Sequence, residues 1–173
     1  MTPRGGVAGE APASEGSFES ARRRALVIVW RALSRRDRTV AELRAALERR
    51  GSESEAAEAA LSEVAAAGYL DDAVFARRFA EDRRRLDGWG QRRIEGELRR
   101  RGVPGAIVDA TLAPHGPEAE LEGAQALLAE RVAALEDDRD RRRALGLLAR
   151  RGYASEIAYE AIRRHEAAAE GRS

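Results

Sequence analysis

Apolar residues recur along this chain in a pattern that repeats about every fifty residues. The segments ALERRGSESEAAEAAL, ELRRRGVPGAIVDATL and LLARRGYASEIAYEAI share an Arg-Arg-Gly step, which places Gly51, Gly102 and Gly152 at intervals of 51 and 50 residues. Apolar residues lie four before, six after and ten after each glycine: Leu47, Leu98 and Leu148; Ala57, Val108 and Ala158; Leu61, Leu112 and Ile162. Self-similarity at this period predicts about three equivalent structural units.

Helical spacing connects the apolar positions before each glycine. Leu43 and Ile94 lie one helical turn before Leu47 and Leu98. Arginine is favourable at the negative end of a helix dipole, and glycine readily adopts the left-handed conformation that ends many helices. Each unit is therefore predicted to contain a helix, a glycine stop and a second helix. One further helix is predicted before each pair, at Ser20–Leu33, Asp71–Leu86 and Pro117–Glu136.

The predicted fold is all-α, an elongated array of three tandem three-helix repeats with no strand. We place the repeats at residues 19–68, 69–114 and 115–166. Residues 1–18 are rich in Gly, Ala, Pro, Ser and Glu, which predicts a disordered leader, and residues 167–173 are expected to be a flexible C-terminus. Since a repeat contacts only its neighbours, such an array has a large surface, which suits large partners.

Composition excludes several classes of site. The chain has no cysteine, so disulfides and thiolate chemistry are absent, and it has no lysine, so it cannot contain a P-loop. His115 and His165 are solitary and are expected at the surface, and no serine has the context of a nucleophile. No apolar stretch approaches the roughly 18 residues of a membrane span, and no signal peptide is evident. A cytoplasmic, monomeric binding protein without catalytic residues, metal or cofactor is expected.

The net charge of +1 conceals a strong segregation of charge. The stretches Arg22–Arg50, Arg77–Arg101 and Arg139–Arg151 carry +7, +5 and +5, and every basic residue is arginine. Glu53–Asp72 and Glu118–Asp138 are acidic. Alternating bands of this kind could present both signs of charge to one partner.

The arginine runs of the second and third repeats are candidates for contact with nucleic acid or an acidic protein face, because the guanidinium fork binds phosphates and carboxylates bidentately. The alternative is that they form solvated helix faces with ion pairs three or four residues apart. The candidate residues are Arg83, Arg84, Arg85, Arg92, Arg93, Arg99, Arg100, Arg101, Arg141, Arg142, Arg143, Arg150 and Arg151.

Four other residues could suggest a functional site. Trp89 lies between Gly88 and Gly90 and could stack on a base, although anchoring in a core is the favoured interpretation. Trp30 lies on an apolar stretch and is expected in the core. The adjacent Asp71 and Asp72 are interpreted as a helix cap with packing contacts, since no further ligand is spaced for a metal.

Three motifs in order resemble the RecX regulatory proteins over about Leu26 to Arg164. They are the GYLDD-x-x-FA segment, the G-x-x-RI-x-x-EL-x-x-RG segment and the LLARRGY segment of the third repeat. An Ala-Glu-Leu-Arg helix in the first unit accompanies them. Motif positions interpreted as mainly structural are Gly68, Tyr69, Leu70, Asp71, Asp72, Phe75, Ile94, Leu98, Gly102, Leu148 and Gly152.

The resemblance implies a curved stack of three-helix repeats that binds the RecA recombinase filament on single-stranded DNA. It further implies inhibition of recombination and ATP hydrolysis, and hence regulation of homologous recombination, DNA repair and the SOS response. The arginine faces of the middle and third repeats are the hypothesised contact. The alternative is a basic helical module that binds single- or double-stranded DNA directly.

Overall fold

Helices account for most of the chain in the computed structural model, which describes residues 11–132 and 135–170. The helices of these two ranges, in chain order, are α1 (Ala11–Leu33), α2 (Val40–Glu48), α3 (Ser54–Ala66), α4 (Asp72–Asp87), α5 (Gln91–Arg100), α6 (Gly105–Leu112), α7 (Pro117–Arg131), α8 (Asp138–Arg151) and α9 (Ser155–Glu170). Neither range contains a strand. The all-α helical-repeat prediction is confirmed.

Each group of three helices encloses its own hydrophobic core. In every group the first helix packs on the third, in the pairs α1 with α3, α4 with α6 and α7 with α9. The apolar positions aligned on the three glycines are buried in all repeats: Leu47, Leu98, Leu148, Ala57, Val108, Ala158, Leu61, Leu112 and Ile162. The hydrophobic period of the sequence therefore corresponds to three separate small cores.

The three repeat glycines end their helices by the same local geometry. Gly51, Gly102 and Gly152 have φ values of 69°, 76° and 90°. In each repeat the glycine N–H donates to the carbonyl three residues back, and the next N–H donates to the carbonyl of the buried leucine five residues back. These bonds satisfy carbonyls that a helix end leaves unpaired. The predicted left-handed stop is confirmed at all three positions.

Several predicted helix ends differ from the structure. Helix α1 begins at Ala11 rather than Ser20, so part of the predicted leader is helical, and residues 1–10 lie outside the described ranges. Alanine and glutamate favour helix, and Pro12 is tolerated in a first turn. Helix α7 ends at Arg131 rather than Glu136, because Val132 is extended with φ −129°. Helix α9 continues to Glu170, past the predicted end of its repeat.

The chain forms two compact units that divide between Asp71 and Asp72. The first unit contains α1 to α3, and the second contains α4 to α9. Within the first, Leu70 is buried, whereas Tyr69 is 66% exposed and Trp30 is 41% exposed. The expectation that Trp30 belongs to the core is wrong, because its ring packs edge-on against Tyr69 at the surface, with ring centres 5.0 Å apart.

Candidate functional site

The thirteen candidate arginines, all in the second unit, differ in exposure. Four of them, Arg83, Arg84, Arg101 and Arg151, are half-buried. The other nine are exposed: Arg85, Arg92, Arg93, Arg99, Arg100, Arg141, Arg142, Arg143 and Arg150. The arginine runs are therefore not uniform basic faces, and the contacts of each arginine decide whether it can bind a partner.

Most of the exposed candidates pair with acids close in sequence. The ion pairs are Arg85–Asp82 (3.3 Å), Arg99–Glu95 (2.9 Å), Arg99–Asp109 (3.5 Å), Arg100–Glu97 (2.5 Å), Arg141–Asp138 (3.0 Å), Arg141–Glu166 (2.5 Å) and Arg143–Asp140 (3.2 Å). The hydrogen bond from Arg100 lowers the pKa of Glu97. Among the described residues, the side chains of Arg92, Arg142 and Arg150 have no such acidic partner.

Two half-buried arginines cover the aromatic side chains of the second repeat. The Arg101 guanidinium carbon lies 4.4 Å from the centre of the Phe75 ring. Arg83 lies 5.3 Å from Phe79 and 5.5 Å from Trp89, and it also pairs with Asp87 at 2.5 Å. Trp89 packs edge-on against Phe79, as its interpretation as a packing residue requires. These cation–π contacts make Arg83 and Arg101 part of the repeat itself.

The end of α8 docks onto the start of α5, in a contact that we call the seam and define by residues 87–93 and 150–153. Four hydrogen bonds cross it: Gly90 N–H to the Arg151 carbonyl (2.8 Å), Arg92 N–H to the Gly152 carbonyl (3.1 Å), Arg93 Nη1 to the Arg150 carbonyl (2.8 Å), and Arg151 Nη1 to the Asp87 carbonyl. Helix ends leave such amides and carbonyls unpaired, and here the end of α8 and the start of α5 supply hydrogen-bond partners for each other's backbone groups. The side chains of two candidate arginines, Arg93 and Arg151, therefore have a structural role.

Two glycines allow the close approach of backbones at the seam. A Cβ on Gly90 would lie 2.7 Å from the backbone of Gly152. A Cβ on Gly152 would overlap Arg93, and its φ of 90° already disfavours other residues. Gly90 has an ordinary φ of −79°. Glycine is therefore required there because a side chain would not fit, and not because of the backbone conformation. Gly90 opens the second motif of the sequence, but the motif alone does not say why a glycine is needed there.

A buried carboxylate lies beside the seam. Glu120 is 6% exposed, and its Oε1 accepts the Gln91 N–H at 2.7 Å, at the first turn of α5. Its Oε2 lies 3.4 Å from Nε2 of His115. Burial raises the pKa of Glu120, and the Gln91 hydrogen bond and the nearby Arg84 oppose that rise. Glu120 thus serves as a cap for α5 supplied by the next repeat.

The groups around Glu120 are also removed from water. Burial lowers the pKa of Arg84, whose Nε and Nη2 are enclosed without a hydrogen-bond partner among the described residues. Burial raises the pKa of Tyr153 to about 12. His115 is not a surface residue as expected, since its side chain is 24% exposed and burial lowers its pKa. Burial therefore disfavours the charged form of both side chains at the contact between His115 and Glu120.

The first unit contains a basic surface pocket that was not among the candidates. It lies between α1 and α2 and is lined by Ile28, Arg31, Ala32, Arg35, Arg38, Glu42, Leu43, Ala46, Arg49 and Arg50; we call it the first-repeat pocket. Sequence analysis marked the stretch Arg22–Arg50 as the most basic of the chain but selected no residue from it. The spacing of acids gave no clear signal: Arg31 and Arg35 have no acid three or four residues away, but Glu42 follows Arg38 by four residues and Glu53 follows Arg50 by three.

No helix in residues 11–132 or 135–170 is long and apolar enough to cross a membrane. The same residues contain no group of three acidic or histidine side chains placed to hold a metal ion.

Comparison with known proteins places two of the repeats in one family. Residues 25–63 match the model described as the first three-helix domain of RecX, and residues 71–112 match the model of its second three-helix domain. These matches agree with the repeat motifs around Gly51 and Gly102.

Whole-chain relatives carry the same name. The chain is 41% identical to the regulatory protein RecX of Deinococcus radiodurans, with 88% of this chain and 78% of that protein covered. It is 38% identical to the RecX of Thermobifida fusca, with 92% and 88% covered, and 36% identical to that of Mycolicibacterium vanbaalenii, with 88% and 86% covered.

Solved structures share the fold at lower sequence identity. A crystal structure of regulatory protein RecX superposes with a TM-score of 0.77 at 21% identity and covers 94% of this chain and 82% of its own. The RecX structure from Lactobacillus salivarius gives a TM-score of 0.71 at 16% identity, with 87% and 97% covered. At these identities the likeness concerns the fold alone.

Proposed function

Because the chain belongs to the RecX family of regulatory proteins, we propose that it binds the RecA recombinase filament on single-stranded DNA and inhibits its recombinase and ATPase activities. Regulation of recombinational DNA repair would follow. The observation that carries the proposal is the match to relatives named regulatory proteins over most of the chain. The relatives' names describe a regulator and no catalyst.

The exposed ion pairs of α5 and α8 support a contact in which these arginines leave acids of their own chain and bind acidic groups of the partner. Pairs such as Arg100–Glu97 and Arg143–Asp140 are solvent-exposed, and such pairs contribute about 1 kcal/mol or less. A partner carboxylate or phosphate can therefore replace the internal acid at little cost. The acids thus released would be available to basic groups of the same partner, which fits a chain with alternating charge.

Arg142 is the sharpest position for testing this contact. It is exposed on α8 between two arginines that are ion-paired, and its own side chain has no acidic partner in the described ranges. The change Arg142→Glu therefore reverses a charge without leaving a carboxylate unpaired. Arg78, exposed on α4 and outside the candidate set, offers the matched control Arg78→Glu.

The test is the rate of single-stranded-DNA-dependent ATP hydrolysis by the cognate RecA while this protein is added below one copy per recombinase. We expect inhibition by the natural chain and by Arg78→Glu, and weaker inhibition by Arg142→Glu with unchanged circular dichroism. No inhibition until the DNA itself is saturated would contradict the proposal and favour direct action on DNA. Equal inhibition by all three proteins would remove α8 from the contact but leave regulation standing.

A further inference from the structure

A second cavity lies beside the seam, where the second and third repeats meet. We call it the inter-repeat pocket. Its volume is about 540 Å³, and it is lined by Glu120 and by residues within 91–95, 112–117 and 154–157. These ranges are the start of α5, the connection from α6 into α7 and the start of α9. Both repeats therefore supply its walls, within the second compact unit.

Carboxylates outnumber basic groups around this pocket. Its lining includes one guanidinium, that of the exposed Arg92, and three carboxylates, those of Glu95, Glu120 and Glu156. Burial also disfavours the charged form of His115, the remaining titratable group of the lining. Glu95 is already ion-paired along α5, whereas Glu156 has no ion pair within the described residues. The pocket is therefore acidic, although the chain as a whole is slightly basic.

One oxygen of the buried Glu120 accepts no hydrogen bond from the described part of the chain. Its Oε1 accepts the Gln91 N–H at 2.7 Å, but its Oε2 has only the contact with Nε2 of His115, 3.4 Å away. Nearly the whole side chain is buried, so water has little access to it. A buried acceptor without a donor is costly, and more so when it is charged. A ligand that donates to Oε2 would remove this cost.

Arg84 does not supply the missing donor. Burial raises the pKa of Glu120, and the charge of Arg84 opposes that rise, yet no hydrogen bond joins the two side chains. Nε and Nη2 of Arg84 are themselves enclosed without a partner among the described residues, and Arg84 is not part of the pocket lining. The side of Glu120 that lines the pocket therefore remains open to a second cation.

The rest of the lining suits a long cationic side chain better than an anion. Leu112, Pro117 and Ile157 provide apolar walls for an aliphatic stem. Helix starts attract anions, but Glu120 already occupies the start of α5, and Pro117 has no N–H to offer at the start of α7. Arginine fits best, because its guanidinium is weakly hydrated and its planar fork matches a carboxylate in a partly buried site.

We infer that the inter-repeat pocket receives an arginine side chain of a partner protein, with Glu120 and Glu156 as its carboxylate acceptors. The guanidinium donates to Oε2 of Glu120, and the aliphatic stem lies along the apolar walls. The site uses none of the exposed arginine runs and needs neither DNA nor a recombinase to be tested. Its failure is therefore distinguishable from failure of the proposed regulation of RecA.

The experiment uses the proton NMR signals of the only two histidines in the chain. The signal of His115 reports on the pocket, and that of His165, on α9 and outside the lining, is an internal reference. The variant His165→Gln assigns the two signals. Nα-acetyl-arginine methylamide is titrated into the full chain near neutral pH at constant ionic strength. Nα-acetyl-citrulline methylamide, which has nearly the same shape but no charge, is the control ligand.

We expect the arginine compound to shift the His115 signal saturably, with a Kd on the order of millimolar, because a single side chain makes few contacts. The citrulline compound should give no saturable shift, since only a cation forms a charge-assisted hydrogen bond with the carboxylates. The His165 signal should not move. Equal affinity for the two compounds would overturn the assignment, and so would the absence of a saturable shift of His115.

Two pocket variants test the acceptors. Glu120→Gln removes the charge but keeps an oxygen for the Gln91 N–H, and it should raise Kd by about tenfold. Glu156→Gln, at an exposed position, should raise Kd by about threefold and serves as the test if Glu120→Gln does not fold.

Glu118→Gln is the matched control, because Glu118 is an exposed first-turn carboxylate of α7 that does not line the pocket. It should change Kd by less than about twofold, since only a distant charge is lost. Circular dichroism of each variant checks that it is folded. A loss of affinity in Glu118→Gln as large as in the pocket variants would show a general charge effect and contradict the assignment.

Discussion

The seam and the first-repeat pocket use the same residue type for opposite purposes. At the seam, Arg93 and Arg151 donate to backbone carbonyls of a neighbouring segment, and they help to hold the chain to itself. In the pocket, Arg35 and Arg49 have no internal partner in the described part of the chain. A run of arginines is therefore no indication of a ligand site until its acceptors are known. What distinguishes the two regions is the supply of carboxylates and helix-end carbonyls within reach.

The largest expected effect breaks the seam without touching an arginine. In Gly90→Ala the new Cβ would lie 2.7 Å from the Gly152 backbone, so the contact must open. We expect a loss of about 1–3 kcal/mol in the free energy of unfolding, as for other overpacked sites. Urea unfolding followed by circular dichroism measures it.

Gly116→Ala is the matched control for that loss. Gly116 is also an N-cap, with φ −72° against −79° for Gly90, and a Cβ there would meet no atom within 4 Å. Both changes replace an N-cap glycine, so the cost of that replacement cancels when the free energies of unfolding of the two variants are compared. Equal destabilisation by the two changes would mean that the close approach at the seam does not contribute to stability.

An intermediate effect comes from removing one arginine from each region. Arg93→Ala loses the hydrogen bond to Arg150 and a cation–π contact in which the guanidinium lies 4.1 Å from the Trp89 ring centre. It should cost about 1–2 kcal/mol of stability, whereas Arg35→Ala should cost less than about 0.5. Equal losses of stability in the two variants would contradict the comparison.

The smallest effect concerns the carboxylate beside the seam. Burial raises the pKa of Glu120 above its usual value of 4.5, so the folded chain favours the protonated form. The stability that this residue contributes is full below pH 4.5 and is lost as the pH rises through the folded pKa. Glu120→Gln keeps an acceptor for the Gln91 N–H but cannot titrate. The Tm of the natural chain minus that of Glu120→Gln should therefore increase as the pH falls from 7 to 4.

Glu118→Gln provides the control for this pH series, because Glu118 lies on the same helix with an exposed side chain. If the Tm difference for Glu120→Gln does not change with pH, or if it is equal for both variants, the buried carboxylate is not its source. Because His115 contacts Glu120, its titration also changes in Glu120→Gln, so the measured difference reports on this pair of groups together.

The repeat fold was largely predictable because its determinants are local. The bonds that end α2, α5 and α8 join residues at most five apart, so the Arg-Arg-Gly steps identify the stops directly. Burial of Leu47, Leu98 and Leu148 follows from the helical period for the same reason. Three helix ends were less predictable: the start of α1 and the ends of α7 and α9.

The candidate site was predictable only in part. Acids three or four residues from Arg100 and Arg143 were visible in the sequence, and they would have shown that those runs are partly neutralised. Trp30 was misplaced because an apolar neighbourhood in sequence does not say which side of α1 the ring occupies. The unpaired arginines of the first-repeat pocket needed the packing of α1 on α2 before they could be grouped.

The sequence by itself determined the number of repeats, the glycine stops, the buried leucines and the motifs shared with the RecX family. Only the tertiary structure decided which arginines are held and which are free, why Gly90 is a glycine, and why Glu120 is buried. The physical reason is the distance along the sequence over which each kind of interaction acts. Helical period and capping act within one or two turns, whereas the contact between Arg93 and Arg150 joins residues 57 apart and exists only after the repeats have packed.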